Sequence, residues 1–250
     1  MKNINKTIGI FCHGGAWRGA YHAGFLKSSE DLNIEIDQFV GVSSGFFASF
    51  AHAAKVNHRE FWEDKHSPLY LEFHKKDVFN RAINYFFPKM LKMSPLTENE
   101  ILEYMNSKVS AIALPIRIPA KHFKMKEFSS IKEIIDAQKS TGSIPWFLKD
   151  FPGKYRGVKF LDGVLCISKA PTYLNTDIKI ILQIIPPFKK SKYKDQYYFK
   201  NNYPKLIKTF LWGKPKDYLD MWDDGFFDGK RFFTRLIQSN KGSLEAFEWN

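Results

Sequence analysis

Cysteine is nearly absent: Cys12 and Cys166 are the only two. Two thiols make no disulfide framework, and without a C-x-x-C pair the usual zinc-ligand spacing is missing. The pattern predicts two buried thiols in a reducing compartment, with no resident metal and no cofactor. Long apolar runs are lacking too, since none reaches the ~18 residues that span a bilayer. The N-terminal stretch "MKNINKTIGIFCHGG" carries only a short apolar run, Ile8 to Cys12. A signal peptide needs an apolar region of roughly 7–15 residues and a small-residue cleavage site. This run is therefore expected to be a strand, and the protein to be cytoplasmic. Histidine is confined to the first half: His13, His22, His52, His58, His66, His74 and His122 all precede Asp162.

Acidic residues are also in short supply. Thirty-eight Lys and Arg face 26 Asp and Glu, for a formal charge of +12. The imbalance concentrates between Phe188 and Lys216, with nine lysines against one acid, Asp195. Aromatic residues are interleaved there, among them Tyr197, Tyr198 and Trp212. Rings beside Lys189, Lys190, Lys192 and Lys194 suit peripheral contact with an anionic lipid surface. The same pattern also fits a solvated lysine-rich surface or, as the least favoured reading, a stacking platform for single-stranded nucleic acid.

What is abundant is core-forming material. Of 250 residues, 44% are hydrophobic and 16% aromatic, enough for one large α/β domain. Neither repeats nor a low-complexity linker divide the chain, so residues 1–250 are expected to form one domain. Its motif-bearing core would cover about 8–172, and its basic aromatic part 188–250. Thr7–Cys12, Gln38–Val42, Ala111–Ile118 and Ile178–Ile185 read as strands, with Pro115 hinting at an edge or bulge. "HFKMKEF" would pair with the third of these. Val158–Ile167 reads as strand, turn, strand. Helices are expected over Ala16–Leu32, Ser44–Ala54 and Ile131–Lys139. Residues 55–110 read as a polar, helical flank in which Thr97 and Glu100 form a capping box. A helical tail is expected from Tyr203, with turns at Gly213–Pro215 and Asp224-Gly225.

Two stretches carry chemistry. "GVSSG" (Gly41–Gly45) is a G-x-S-x-G pentapeptide between a strand and an apolar helix, the setting of a nucleophile elbow. The spacing makes Ser43, not Ser44, the nucleophile. A Ser–Asp/Glu–His order is disfavoured because no histidine follows Asp162 of "FLDGV". Asp162 acting directly on Ser43 is simpler, provided the carboxylate is oriented and partly desolvated. The second stretch, "FCHGGAWRGAYHAGFL" (Phe11–Leu26), places glycines at a helix N-terminus. There bare N–H groups and the helix dipole favour an anion, either the oxyanion of an ester or a phosphate. Dinucleotide binding by G-x-G-x-x-G is disfavoured: Ala16 takes the middle glycine position, and the second strand ends in Ser43 rather than an acid. His13 abuts this loop and reads as structural.

Taken in order, these blocks resemble the patatin-like phospholipase family. "GGAWRGAYHAGFL" is similar to its G-G-G-x-R/K-G loop and first helix, "GVSSG" to its nucleophile motif, and "DGV" to its Asp-Gly-Gly/Ala block. "STGSIPWFL" (Ser140–Leu148) is similar to its Ala-Ser-x-x-Ile-Pro segment. The resemblance implies a three-layer α/β/α fold with a mostly parallel sheet, a Ser–Asp dyad, and calcium-independent hydrolysis of acyl esters of phospholipids or related lipids. It makes Ser43 the nucleophile, Asp162 the base, and Gly14, Gly15, Ala16, Arg18 and Gly19 the oxyanion loop. Gly41 and Gly45 flank the elbow, and Gly163 follows the base. Two positions depart from the family pattern. Val164 narrows the space beside the base. Ala16 replaces a glycine, which is harmless at negative φ but strained at positive φ. The alternative is a catalytically inactive lipid- or nucleotide-binding protein of the same fold.

Overall fold

Short runs of apolar residues form the centre of the sheet. The computed structural model describes residues 6–63, 78–116, 121–144, 151–183, 196–200 and 215–239. Strands β1 (Ile8–Cys12), β2 (Gln38–Gly41), β3 (Val109–Pro115), β4 (Phe123–Met125), β5 (Gly153–Tyr155), β6 (Val158–Asp162), β7 (Ile178–Gln183) and β8 (Gln196–Lys200) make one sheet. They are linked in the order β5-β6-β3-β2-β1-β7-β8, with β4 also paired to β3. The β3-β2-β1-β7-β8 stretch is parallel, and β4, β5 and β6 join antiparallel. The helices are α1 (Gly19–Asp31), α2 (Ser44–Ala53), α3 (His58–Glu63), α4 (Val78–Met93), α5 (Glu98–Lys108), α6 (Ile131–Thr141) and α7 (Pro215–Gln238).

Parallel strands buried on both faces need apolar side chains on both. Ile8, Ile10, Cys12, Phe39, Ile180 and Leu182 belong to the large cluster under the α-helices. Phe11, Val40, Val42, Ile112 and Ile181 belong to a smaller one with Ala170 and Leu174. That second face is covered by a long 3-10 helix, Gly163–Tyr173. Helical layers on both sides of a central sheet make this the expected α/β class. The capping box also forms: Thr97 N–H donates to Glu100 Oε2 at 2.7 Å, and Glu100 N–H donates to Thr97 Oγ1 at 3.3 Å.

Three expectations are corrected. The half of Val158–Ile167 after Asp162 is 3-10 helix rather than a second strand, since the chain leaves the sheet at Gly163 to cover its other face. Asp224-Gly225 is no turn; it lies inside α7. Its glycine serves a close helix crossing: a Cβ on Gly225 would lie 2.0 Å from the Tyr21 carbonyl, and one on Gly24 2.0 Å from the Trp222 carbonyl. Finally, Tyr197 is not available to a membrane. It sits on β8 only 6% exposed, its ring 5.0 Å from that of Phe232 on α7. Tyr198 is half-buried against the smaller cluster. Lys189, Lys190, Lys192, Lys194, Trp212 and the Gly213-Lys214 part of the expected turn lie outside the described residues. Among the described residues no helix is long and apolar enough to cross a membrane.

Candidate active site

The register of β3 decides where the site forms. Ala111 pairs with both Gly41 of β2 and Met125 of β4, so these strands hold opposite edges. Ala113 pairs with both Phe123 of β4 and Asp162 of β6. β6 therefore shares an edge with β2, the two meeting end to end because they run in opposite directions. The residues just beyond β2 and at the end of β6 are Ser43 and Asp162. The sheet thus brings together the two residues that the sequence singles out.

Ser43 occupies a strained turn. Its φ of 51° and ψ of −122° lie in territory that non-glycine residues enter at a cost of order 1–3 kcal/mol. The turn is held at both ends by α6. Ser43 N–H donates to Thr141 Oγ1 at 3.1 Å, and Gln138 Nε2 donates to the Ser43 carbonyl at 3.1 Å. Thr141 Oγ1 in turn donates to the Ile112 carbonyl of β3. Gly45 fits because any side chain there would meet β1: a Cβ would lie 2.1 Å from the Cys12 carbonyl. Neither Gln138 nor Thr141 was singled out from sequence. The available signal was two polar residues three apart, on the face of an amphipathic helix that also carries Ile134 and Ala137.

Asp162 is 8% exposed. Burial raises its carboxyl from 3.8 to about 7, against the opposing pull of the Val164 N–H and the Ser43 side chain. The Val164 N–H donates to Asp162 Oδ1 at 2.7 Å. A carboxyl balanced near neutrality can both take and return a proton at physiological pH. Gly163 follows as the first residue of the 3-10 helix.

The loop after β1 lies against the same turn. Ala16 has φ 49°, so the strained alternative holds. The Gly15 N–H is not bare, as expected, but donates to Ser44 Oγ at 3.2 Å. The N–H groups of Gly14, Ala16 and Ser44 have no acceptor among the described residues, and these are the donors left for an oxyanion. Arg18 closes a 3-10 turn, Ala16–Arg18, ahead of Gly19 and is fully buried, which lowers its pKa. That burial suits an anchor of the loop. Cys12 is buried, and its thiol is pushed up to about 12. Beside the loop opens a small apolar cleft. Phe47 of α2 and Phe79, Ala82, Ile83 and Phe86 of α4 line it, and Ala16 and Ser44 border it on the site's side. Among the described residues no three His, Cys, Asp or Glu side chains gather as a metal site.

No family model matches the sequence, and neither does any curated protein. Solved structures do match. VipD from Legionella pneumophila is 9% identical, over 93% of this chain and 67% of that one, with a TM-score of 0.46. The heterodimeric ExoU-SpcU complex from the type III secretion system of Pseudomonas aeruginosa matches at 11% identity over 93% of this chain and 52% of that one, with a TM-score of 0.49. The type III effector protein ExoU matches at 8% identity over 92% and 53%, with a TM-score of 0.48. This chain spans about half the length of the latter two chains that it is similar to.

Proposed function

We propose that the protein is a lipid acyl hydrolase of the phospholipase A or lysophospholipase type, working through Ser43 and Asp162 without calcium. The observation that carries this is the pairing of a strained serine turn with a buried carboxyl raised to about 7, on one edge of β3. Asp162 takes the Ser43 proton as the serine oxygen attacks the acyl carbonyl. Free N–H groups of the loop and of Ser44 stabilise the oxyanion. One such donor is typically worth about 2.7–4 kcal/mol of barrier. The C–O bond breaks, the alcohol or lysolipid leaves with the proton from Asp162, and the acyl group stays on Ser43. Water then gives its proton to Asp162, attacks the acyl-enzyme, and frees the fatty acid and Ser43. The apolar cleft beside Ala16 and Ser44 suits the acyl chain. The lysine-rich stretch 188–216 would supply peripheral contact with anionic lipid, without Tyr197.

The test is fatty-acid release from mixed phospholipid vesicles with calcium chelated. Wild type is expected to release acid; Ser43→Ala and Asp162→Asn are not. One observation favours the inactive binding protein instead: the Gly15 N–H is already engaged by Ser44. A fluorophosphonate probe separates the two, since an inactive site leaves Ser43 unlabelled.

A further inference from the structure

His13 and His22 are buried imidazoles that the proposed reaction does not use. Their ring nitrogens nevertheless form a path to the base. His22 Nε2 lies 2.7 Å from the His13 carbonyl, and His13 Nε2 lies 2.9 Å from the Val164 carbonyl. A carbonyl only accepts, so in both rings the proton sits on Nε2. Val164 in turn donates its N–H to Asp162 Oδ1. The same His13 backbone is tied to β7 through its N–H, which donates to the Leu182 carbonyl at 3.2 Å. The next residue, Gly14, begins the oxyanion loop.

We infer that His13 is a positioning residue: its ring clamps Val164 so that the Val164 N–H stays on the Asp162 carboxylate, and His22 fixes His13 in turn. The inference rests on the Ser43–Asp162 reading for its catalytic meaning, though the clamp itself does not require turnover. His13 is not the base: its Nε2–H is committed to a carbonyl, and Nδ1, the nitrogen with the free lone pair, is buried with no hydrogen-bond partner among the described residues, so no serine proton is aimed at it. Nor does it titrate in the working range. Burial lowers His13 to about 4 and His22 to about 3, so both rings are neutral above pH 5. The titratable side chains around the clamp are His22 from the start of α1, Arg18 from the 3-10 turn before it, Cys12 from β1, and Asp162. Of these, only Asp162 changes charge between pH 5 and 9. Releasing Val164 removes a donor that favours the ionised carboxylate, so the Asp162 midpoint must rise.

The test compares two amides at one position. His13→Gln places an amide nitrogen near the Nε2 position; His13→Asn is too short to reach the Val164 carbonyl. Protein carrying carboxyl-13C aspartate is titrated by NMR from pH 5 to 9, with the Asp162 signal identified by its loss in Asp162→Asn. The acid limb of kcat/KM on p-nitrophenyl butyrate is recorded in parallel. His13→Asn is expected to raise both midpoints by about half a unit or more, a roughly threefold or larger rate loss at pH 6 that narrows by pH 9. His13→Gln is expected to keep the wild-type midpoints. Unmoved midpoints in His13→Asn, with any rate loss equal at every pH, would overturn the clamp. If His13→Asn does not fold, His13→Gln decides: a raised midpoint in that variant overturns the clamp, and a wild-type one supports it. An NMR shift in a protein that hydrolyses no ester sustains the clamp and rejects the hydrolase. Ester hydrolysis with an unmoved signal does the reverse.

Discussion

Replacing Asp162 by Asn should stabilise the protein while abolishing its activity, and the gain should grow with pH. Burial raises the carboxyl from 3.8 to about 7. An acid whose folded pKa is raised binds more protons folded than unfolded between those values, so stability falls as pH rises from 3.8 to about 7. Each pH unit of the gap is worth about 1.4 kcal/mol. The ionised carboxylate therefore costs about 4 kcal/mol of folding free energy at pH 8, but less than half of that at pH 5, where most folded molecules hold the proton. Asparagine keeps an oxygen for the Val164 N–H and has no such dependence. Urea unfolding followed by tryptophan fluorescence, for both proteins at pH 5 and pH 8, reads this out. The advantage of Asp162→Asn should widen by about 2–3 kcal/mol between the two pH values. Taking the difference between the proteins cancels every other titrating group, including His13 and His22, which destabilise the fold only when acid charges them. The wild-type acid limb of ester hydrolysis should have its midpoint near the same pH of about 7. Parallel stability curves for the two proteins would refute the raised carboxyl, and with it the reason Asp162 suits a base.

Ala16→Gly should relieve the left-handed backbone and raise stability by about 0.5–1 kcal/mol, the strain of a non-glycine residue at positive φ outweighing the added chain entropy; thermal unfolding measures it. Gly225→Ala should destabilise by about 2–3 kcal/mol, because the new Cβ meets the Tyr21 carbonyl and forces α1 and α7 apart; urea unfolding checks this. Ala82→Val should narrow the small cleft and depress turnover of p-nitrophenyl esters of twelve or more carbons by a few-fold relative to the butyrate, a chain-length profile being the readout.

The candidate site was more legible in the sequence than its surroundings. Ser43 and Asp162 were legible because a strand-to-helix turn around G-x-S-x-G and the want of a later histidine are local facts. That they act together was legible from the want of a later histidine and from the resemblance, but the way they meet was not, since the end-to-end placement of β2 and β6 is set by pairing to β3 across distant parts of the chain. β8 was hidden inside a lysine-rich stretch: its Tyr197 and Phe199 face the core while charged neighbours dominate the composition. Asp224-Gly225 of α7 read as a turn because glycine breaks isolated helices. Here a helix crossing that admits no side chain outweighs that propensity. The Gly15 N–H was expected to be bare, but a single serine hydroxyl on the next helix takes it, a contact no spacing rule anticipates.

The shared edge of β3 also has a bearing on biosynthesis. Ser43 leaves the ribosome early, before β3 exists, and Asp162 follows only after β4, α6 and β5 have been made. A growing chain thus holds Ser43 with no carboxylate beside it, and the pair waits for β6 to dock against a strand already in place. The alternation of strand side chains makes that docking exacting, since a slip of one residue would turn Asp162 to the opposite face. The Ser43–Asp162 pair and the β3–β6 pairing then form in one event, with β7 and β8 still to join the sheet.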